Sequence, residues 1–473
     1  MRPFVGVVVA LLVALLPTAP VLAQQEQANA ERIRELEREL ERIRTELEAL
    51  KAQQQAAPTP PPQAAPTPSP PKEPARWPLR FGASVTFRYD STEVEDQTDL
   101  FQDENEINGF RTRIRLLVDY NLDGAAGAGL RLSTGEDPNP ASPFIRLGDV
   151  FVSKSFNLDQ AFILTRPLKF FGEPYDVLKP VENLSLTFGK MPLPFWRGDR
   201  GTWRSEIIWD DDINPEGALL KFPIPTGLPF LKLENTFGYF IVSEVTDVRF
   251  AGLTNDTYLL ANQFKLQVDP VTLAMAVYDY NNLNAGLRAP SFVPGQGAFL
   301  SPGTSALLMR PGLQATNNRI NFGPGAEGFV EEDFTILNLT GQAYLPIPPR
   351  WVDPVGFALL EPFVAGDWVK NTSVDRDDEG YGLTVGLRGA GKRFLDGLFN
   401  VWFTYRDVDA DATIAAFADS DLGAGTAYRG YELGVNYRIL PDLMIVFSYL
   451  NFEGFPRKDN GVERWFVDLV WTY

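Results

Sequence analysis

The chain ends Glu463-Arg464-Trp465-Phe466-Val467-Asp468-Leu469-Val470-Trp471-Thr472-Tyr473, and the period of that segment restricts the fold more than any other feature. Counting back from the terminus, Trp471, Leu469, Val467 and Trp465 share one large apolar phase, while Thr472, Asp468 and Arg464 fall in the other. Successive side chains of a strand point to opposite faces, so one face here suits hydrocarbon and the other suits water. That alternation, closed by an aromatic, fits the last strand of a membrane-spanning β-barrel. The edge strand of a soluble sandwich has the same local period, so the rest of the chain has to separate the two.

The amino terminus does so. Arg2 precedes an apolar run from Val5 to Leu16, and Val21-Leu22-Ala23 offers a cleavage site before Gln24, the layout of a secretory signal peptide over 1–23. No other segment approaches the roughly 20 apolar residues a membrane helix needs. A crossing therefore has to be made with strands. The chain contains no cysteine and no histidine. The first excludes a disulfide scaffold and a thiol nucleophile. The second removes the usual general base of a hydrolase and the commonest metal ligand. Neither an enzyme nor a cofactor is expected, and a net charge of −18 argues against nucleic acid as a partner.

Residues 24–55 are expected to form a periplasmic α-helical coiled coil. With Ile33 at position a, Ile33, Leu40 and Leu47 occupy a while Leu36, Ile43 and Leu50 occupy d, and nearly everything between is Arg or Glu. Three heptads are marginal alone, so the helix is expected to associate where its barrels already hold copies together. Arg32-Ile33-Arg34-Glu35-Leu36-Glu37 resembles the trimer pattern of short coiled coils, which points to a homotrimer. The alternative is a single charged helix lying on another surface. Residues 56–78 are a proline- and alanine-rich linker, extended at about 3.1 Å per residue.

From residue 79 the period changes to two. The alternation predicts strands at 79–90, 108–121, 126–136, 148–157, 183–190, 216–223, 230–243, 256–269, 271–281, 333–346, 356–369, 380–390, 396–407, 427–440, 441–452 and 463–473. The fold class is thus all-β and transmembrane, an antiparallel outer-membrane barrel of about 16 strands over residues 79–473. Connectors after even strands are mostly tight and those after odd strands long and polar, as at Ser91–Ile107, Asn282–Glu332 and Val408–Thr426. That places both chain ends in the periplasm and outer-membrane lipid around the wall. One connector, Leu158–Glu182, is long yet falls on the short-turn side.

The charged candidates are an inward ladder and a loop. Arg111, Arg113 and Arg115 share the inward phase of strand two, and Arg131 that of strand three. The third long loop, Gly189–Gly217, concentrates Arg197, Arg200 and Arg204 with Asp210, Asp211, Asp212 and Glu216, beside three tryptophans. Asp210, Asp212, Asn214 and Glu216 alternate like calcium-loop ligands, but the glycine and distal bidentate Glu of such a loop are missing, so no metal is expected. The acidic first loop, Glu93 to Glu106, reads as a solvated rim.

Phe188-Gly189-Lys190-Met191-Pro192, Pro194-Phe195-Trp196 and Trp209-Asp210-Asp211-Asp212-Ile213-Asn214-Pro215-Glu216-Gly217 resemble a porin family of Gram-negative outer membranes, distantly similar to phosphate-selective porins. Arg111-Thr112-Arg113-Ile114-Arg115 and Arg131-Leu132-Ser133-Thr134-Gly135-Glu136 carry the same likeness, which covers the barrel but not the coiled coil. The resemblance implies a water-filled channel for passive diffusion of small hydrophilic solutes or ions, narrowed by an inward-folded third loop. Wall arginines facing loop carboxylates would set up a transverse field and pull anions toward the wall. Two alternatives stand beside it: an anion- or phosphate-selective channel, and a structural tether acting through the coiled coil.

Overall fold

A computed structural model of the chain divides into two compact units, Met1–Arg76 and Trp77–Tyr473. The described residues are 38, 41, 42, 44, 45 and 48 in the first unit, and in the second 79–95, 105–122, 124–135, 142–148, 153–170, 181–199, 203–243, 256–281, 283, short pieces between 309 and 329, 334–355, 357–391, 398–419, 421, 425–454 and 461–473. The six described in the first unit are helical and exposed, and Thr45 Oγ1 donates to the Glu41 carbonyl at 2.8 Å. The signal segment, the linker and the a and d residues Ile33, Leu36, Leu40, Ile43, Leu47 and Leu50 lie outside the described residues.

The second unit is a closed antiparallel barrel. Among the described residues its wall consists of 16 strands, with the two-residue stretch Ile145–Arg146 paired to the second of them as well: β1 (Leu79–Glu95), β2 (Asn105–Leu122), β3 (Ala126–Thr134), β4 (Phe156–Thr165), β5 (Ser185–Lys190), β6 (Glu216–Ile224), β7 (Lys232–Ser243), β8 (Thr257–Val268), β9 (Val271–Asn281), β10 (Phe334–Tyr344), β11 (Phe357–Asn371), β12 (Glu379–Gly391), β13 (Leu398–Val408), β14 (Tyr428–Leu440), β15 (Leu443–Glu453) and β16 (Gly461–Thr472). Each pairs with its chain neighbour, and β16 returns to β1 in register from Ser84↔Thr472 to Glu95↔Gly461, which removes both edges.

Side-chain phase follows the alternation. On β1, Phe81 and Phe87 are 73% and 54% exposed to the outside, while Thr86, Arg88 and Asp90 are buried inside. β16 repeats this, with Trp465, Leu469 and Trp471 outward and Arg464 and Asp468 inward. Aromatics collect near one rim, where Tyr89 meets Phe110 at 5.0 Å and Trp465 at 5.3 Å, and Tyr431 meets Tyr449 at 6.2 Å. An apolar outer band edged by such rings is the surface a bilayer takes up.

The fourth strand lies at Phe156–Thr165, not at 148–157. Its register with β3 shifts between Arg131 and Leu132, a bulge that flips the apolar phase in mid-strand. Leu158 and Ile163 are both exposed although one is even-numbered and the other odd, so a strict period of two misses the element. The correction lengthens the loop before β4 and shortens the irregular connector after it, which holds a short helix at Pro167–Phe170.

The inside of the barrel also departs from expectation. A wall of this strand number leaves room for water, yet one side of the lumen holds a packed apolar core. Met191, Phe195, Ile207 and Trp209 of the loop 191–215 join Ala412, Ile414 and Ala416 of the loop 409–427 against inward Phe240, Tyr278, Tyr280 and Phe334. The second of these loops is therefore not the polar connector its position suggests.

Candidate functional site

The loop 191–215 is anchored on opposite parts of the wall. It closes at its base through Met191 N–H to the Pro215 carbonyl, 2.9 Å. Gln263 of β8 clamps the backbone of Trp196 twice, accepting from its N–H at 2.7 Å and donating to its carbonyl at 2.9 Å. On β10, Gln342 accepts from the Asp199 N–H at 2.9 Å, and the Tyr344 hydroxyl donates to the Asp199 carboxylate at 2.9 Å. Ser205 reaches the buried Asp367 of β11. At β12 the inward residue is Gly382, and a Cβ there would come within 3.3 Å of Ile207 Cδ1, so the missing side chain makes room for the loop.

The loop then returns to the arginine wall. Asp212 pairs with Arg115 at 2.5 Å and Arg113 at 3.2 Å, and the Asn214 side chain accepts from Arg131 at 3.1 Å and donates to Asp159 at 2.8 Å. Its span is thus held by β8, β10 and β11 on one side and by β2, β3 and β4 on the other. Trp209 stacks on Phe417 of the loop 409–427 at 5.9 Å, Phe417 stacks on Tyr280 at 6.2 Å, and the Asp210 N–H donates to the Phe417 carbonyl at 2.7 Å. The two loops share one core.

The loop 409–427 has its own ionic anchors. Asp419 pairs with Arg406 at 2.6 Å, both nearly inaccessible, and Arg406 also reaches Glu432 at 3.2 Å. Asp421 takes Arg88 at 2.6 Å and Arg464 at 3.6 Å, while Asp468 and Asp90 complete those two arginines from neighbouring strands. Burial pushes the Asp421 carboxyl up, but Arg88 and then Arg464 outweigh it and hold it at about 2.

Each predicted residue now has a place. Arg113, Arg115 and Arg131 do face the loop, as ion-paired groups and not as bare wall charges, with Arg131 on Asp159 at 2.5 Å. Arg111 pairs with Asp90 at 2.9 Å, away from that loop. Arg197 and Arg204 both hold Asp211, each at 2.6 Å, and Arg197 also donates to the Ser205 carbonyl at 3.0 Å, so these three fold the loop on itself. Asp210 accepts the Asp212 N–H at 2.8 Å and shapes the turn between the two anchors. Arg200 lies outside the described residues. Glu216 is not pore-lining. It pairs with Lys190 at 2.6 Å in the outward phase of Ala218 and Leu220, whereas Leu219 packs in the inner core and Lys221 lines a lumen cavity.

Reading the sequence missed Arg88, Arg406, Asp419 and Asp421 as anchors, together with Lys221, Glu234 and Lys265 on the wall. The inward phase of charged residues on adjacent strands was the available signal for the wall groups. The run Ala412-Thr413-Ile414-Ala415-Ala416-Phe417-Ala418, apolar inside a connector, was the signal for the second loop.

One carboxyl sits against others. Glu206 is pushed well above the usual carboxylate range, first by burial and then by Asp419, Asp211 and Asp210, which Arg197 only partly offsets. A carboxyl raised in the folded state favours that state most at low pH, and the advantage is lost as pH rises through its folded value. Asp421, held low, acts oppositely and its contribution fades only as pH falls toward 2. The loop packing is therefore expected to be tightest in mild acid and to loosen toward neutral and higher pH. Proteolysis of the loops across that range checks this, and Glu206→Gln should flatten the alkaline side of the profile.

Residues 79–317 and 355–470 match the model of a family described as "Putative porin", and the chain belongs to that family. No curated protein matches it. Among solved structures it is similar to Pseudomonas putida OprB at high pH (11% identity, TM-score 0.45, 84% of this chain and 94% of that one). It is also similar to Salmonella typhi OmpF in complex with daunomycin (10% identity, TM-score 0.43, 83% and 97%). A mutant porin of Rh. blastica covers 84% of this chain and 100% of its own at 13% identity and TM-score 0.40. Family and barrel together place the protein in the bacterial outer membrane.

Proposed function

We propose that this protein is a passive porin, non-enzymatic, whose water-filled path for small hydrophilic solutes and ions is narrowed by the loop 191–215 with the loop 409–427 packed beside it. The observation that carries the reading is the anchoring of the first loop on opposite parts of the wall, by Gln263 and Gln342 on one side and Arg113 and Arg115 on the other. A segment pinned that way lies across the lumen instead of over its rim. The lumen-facing arginines and carboxylates on either side of it give the path a transverse field for ordering dipolar solutes. Osmotic swelling of liposomes carrying the protein tests this. Small sugars should enter and larger oligosaccharides should not; a folded, inserted barrel that passes not even a pentose would overturn the proposal.

The homotrimer is part of the same reading. β5 has only six residues, about 20 Å of strand at roughly 3.3 Å each, and when tilted it rises well short of the ~25 Å apolar band of such barrels. Ile163 of β4 and Phe188 of β5 are exposed on the outer face beside this short stretch, and a second copy packed there would complete the apolar height. Cross-linking in mild detergent is expected to give trimers, with and without residues 24–73. A monomer in both cases would contradict it.

A further inference from the structure

A cavity of about 310 Å³ lies between the loop 191–215 and the inner wall of β3, β4, β6 and β8. Its charged lining is Arg131, Arg197, Arg204, Lys221 and Lys265 against Asp199 and Asp211. The cations are held in pairs, two to a carboxylate. Glu234 of β7 takes Lys221 at 2.9 Å and Lys265 at 3.1 Å, Asp211 takes Arg197 and Arg204, and Asp159 takes Arg131 at 2.5 Å and Arg115 at 3.7 Å. Asp199 is occupied by the Tyr344 hydroxyl and the Trp196 ring N–H. Counting the carboxylates behind the lining as well, positive charge remains in surplus in a recess walled by protein, where water screens it less than in bulk. The remaining lining joins Gly198 and the amides Gln160 and Asn214, bonded to each other, to an apolar and aromatic stretch, Pro192, Leu193, Pro194, Phe195 and Trp196.

We propose that this cavity is a solute-binding subsite for a small organic carboxylate, its anionic head at the Lys221–Lys265 and Arg204 side and its apolar body against the proline-rich segment and Trp196. The inference rests on the porin reading and adds a substrate class to it. The size is at the lower end for ligand sites, which suits a single ring or a short chain. Inorganic phosphate would satisfy the cations but leave the apolar wall unused, whereas a sugar would leave the charge surplus unanswered. A carboxylate on an apolar body uses both.

The test is current through the protein in a planar bilayer in KCl, with benzoate added as the probe. Wild-type channels should show reversible, concentration-dependent interruption by benzoate, and far weaker interruption by phosphate at equal charge concentration. The triple variant Lys221→Gln, Glu234→Gln, Lys265→Gln removes the surplus without leaving Glu234 alone, and should weaken the benzoate effect about tenfold, the loss of one charge-assisted contact. Arg204→Gln is a second variant whose partner Asp211 keeps Arg197. Unchanged benzoate block in both variants, or no block in wild type, would overturn the subsite, and equal block by phosphate would overturn its carboxylate class. Absence of any KCl current would instead count against the porin reading itself.

Discussion

Asp419→Ala is expected to release the loop 409–427 from the wall and raise single-channel conductance. Asp419 and Arg406 pair at 2.6 Å with side chains only 4% and 6% exposed, so removing the acid leaves a buried cation with Glu432, at 3.2 Å, as its remaining carboxylate partner among the described residues. Breaking a buried pair from one side costs about 3–5 kcal/mol. Most of that cost should fall on loop docking and not on the barrel, whose strands stay paired all round. The loop that lets go carries Phe417 from between Trp209 and Tyr280, so the core shared with the loop 191–215 should loosen as well. Larger and noisier current steps together with new proteolytic cleavage between 411 and 419 are the expected result. Wild-type conductance in a variant shown to be cleaved there would mean that this loop does not narrow the path.

The double variant Arg113→Gln, Arg115→Gln should act on the other side of the same assembly. The sequence alone suggests that these arginines face the lumen and pull anions toward the wall. In the structure Asp212 is their shared partner and is only 11% exposed, so the variant leaves a carboxylate with neither cation. The expected result is an outward shift of the loop 191–215, higher conductance, and a reversal potential moved toward cations. Adding Asp212→Asn should restore the conductance while leaving much of the selectivity change, since it removes the stranded acid but not the missing positive charge. A triple variant as conductive as the double would show that the Asp212 pairing does not hold the loop. A thermodynamic cycle over the variants separates the pair from its members.

These expectations depend on contacts that the strand period does not encode. The wall was legible because hydrocarbon and water impose opposite demands on successive residues: Phe87 against Arg88, or Leu469 against Asp468, can be assigned from sequence alone. The same rule failed at β4, where the bulge at Asp159 and Gln160 puts two polar residues in succession, and at Glu216, where a charged residue faces outward beside Lys190. The arginine ladder and the aspartates were visible as groups, but which acid meets which base is set by the path of a loop across the lumen. That path depends on distant partners such as Gln263, Gln342 and Gly382. The second loop was hidden for a different reason. A connector is expected to be polar because its backbone meets water, and the apolar run around Ile414 makes sense only once a hydrophobic surface inside the barrel is available to receive it.

The most direct test of the central claim is the single-channel current of the purified wild-type protein in a planar bilayer across a range of KCl concentrations. A water-filled path narrowed by the two loops should give discrete steps whose size grows with salt concentration and which enlarge in the Asp419→Ala variant. A barrel that inserts in folded form and yields no steps, in wild type and variant alike, would contradict the account.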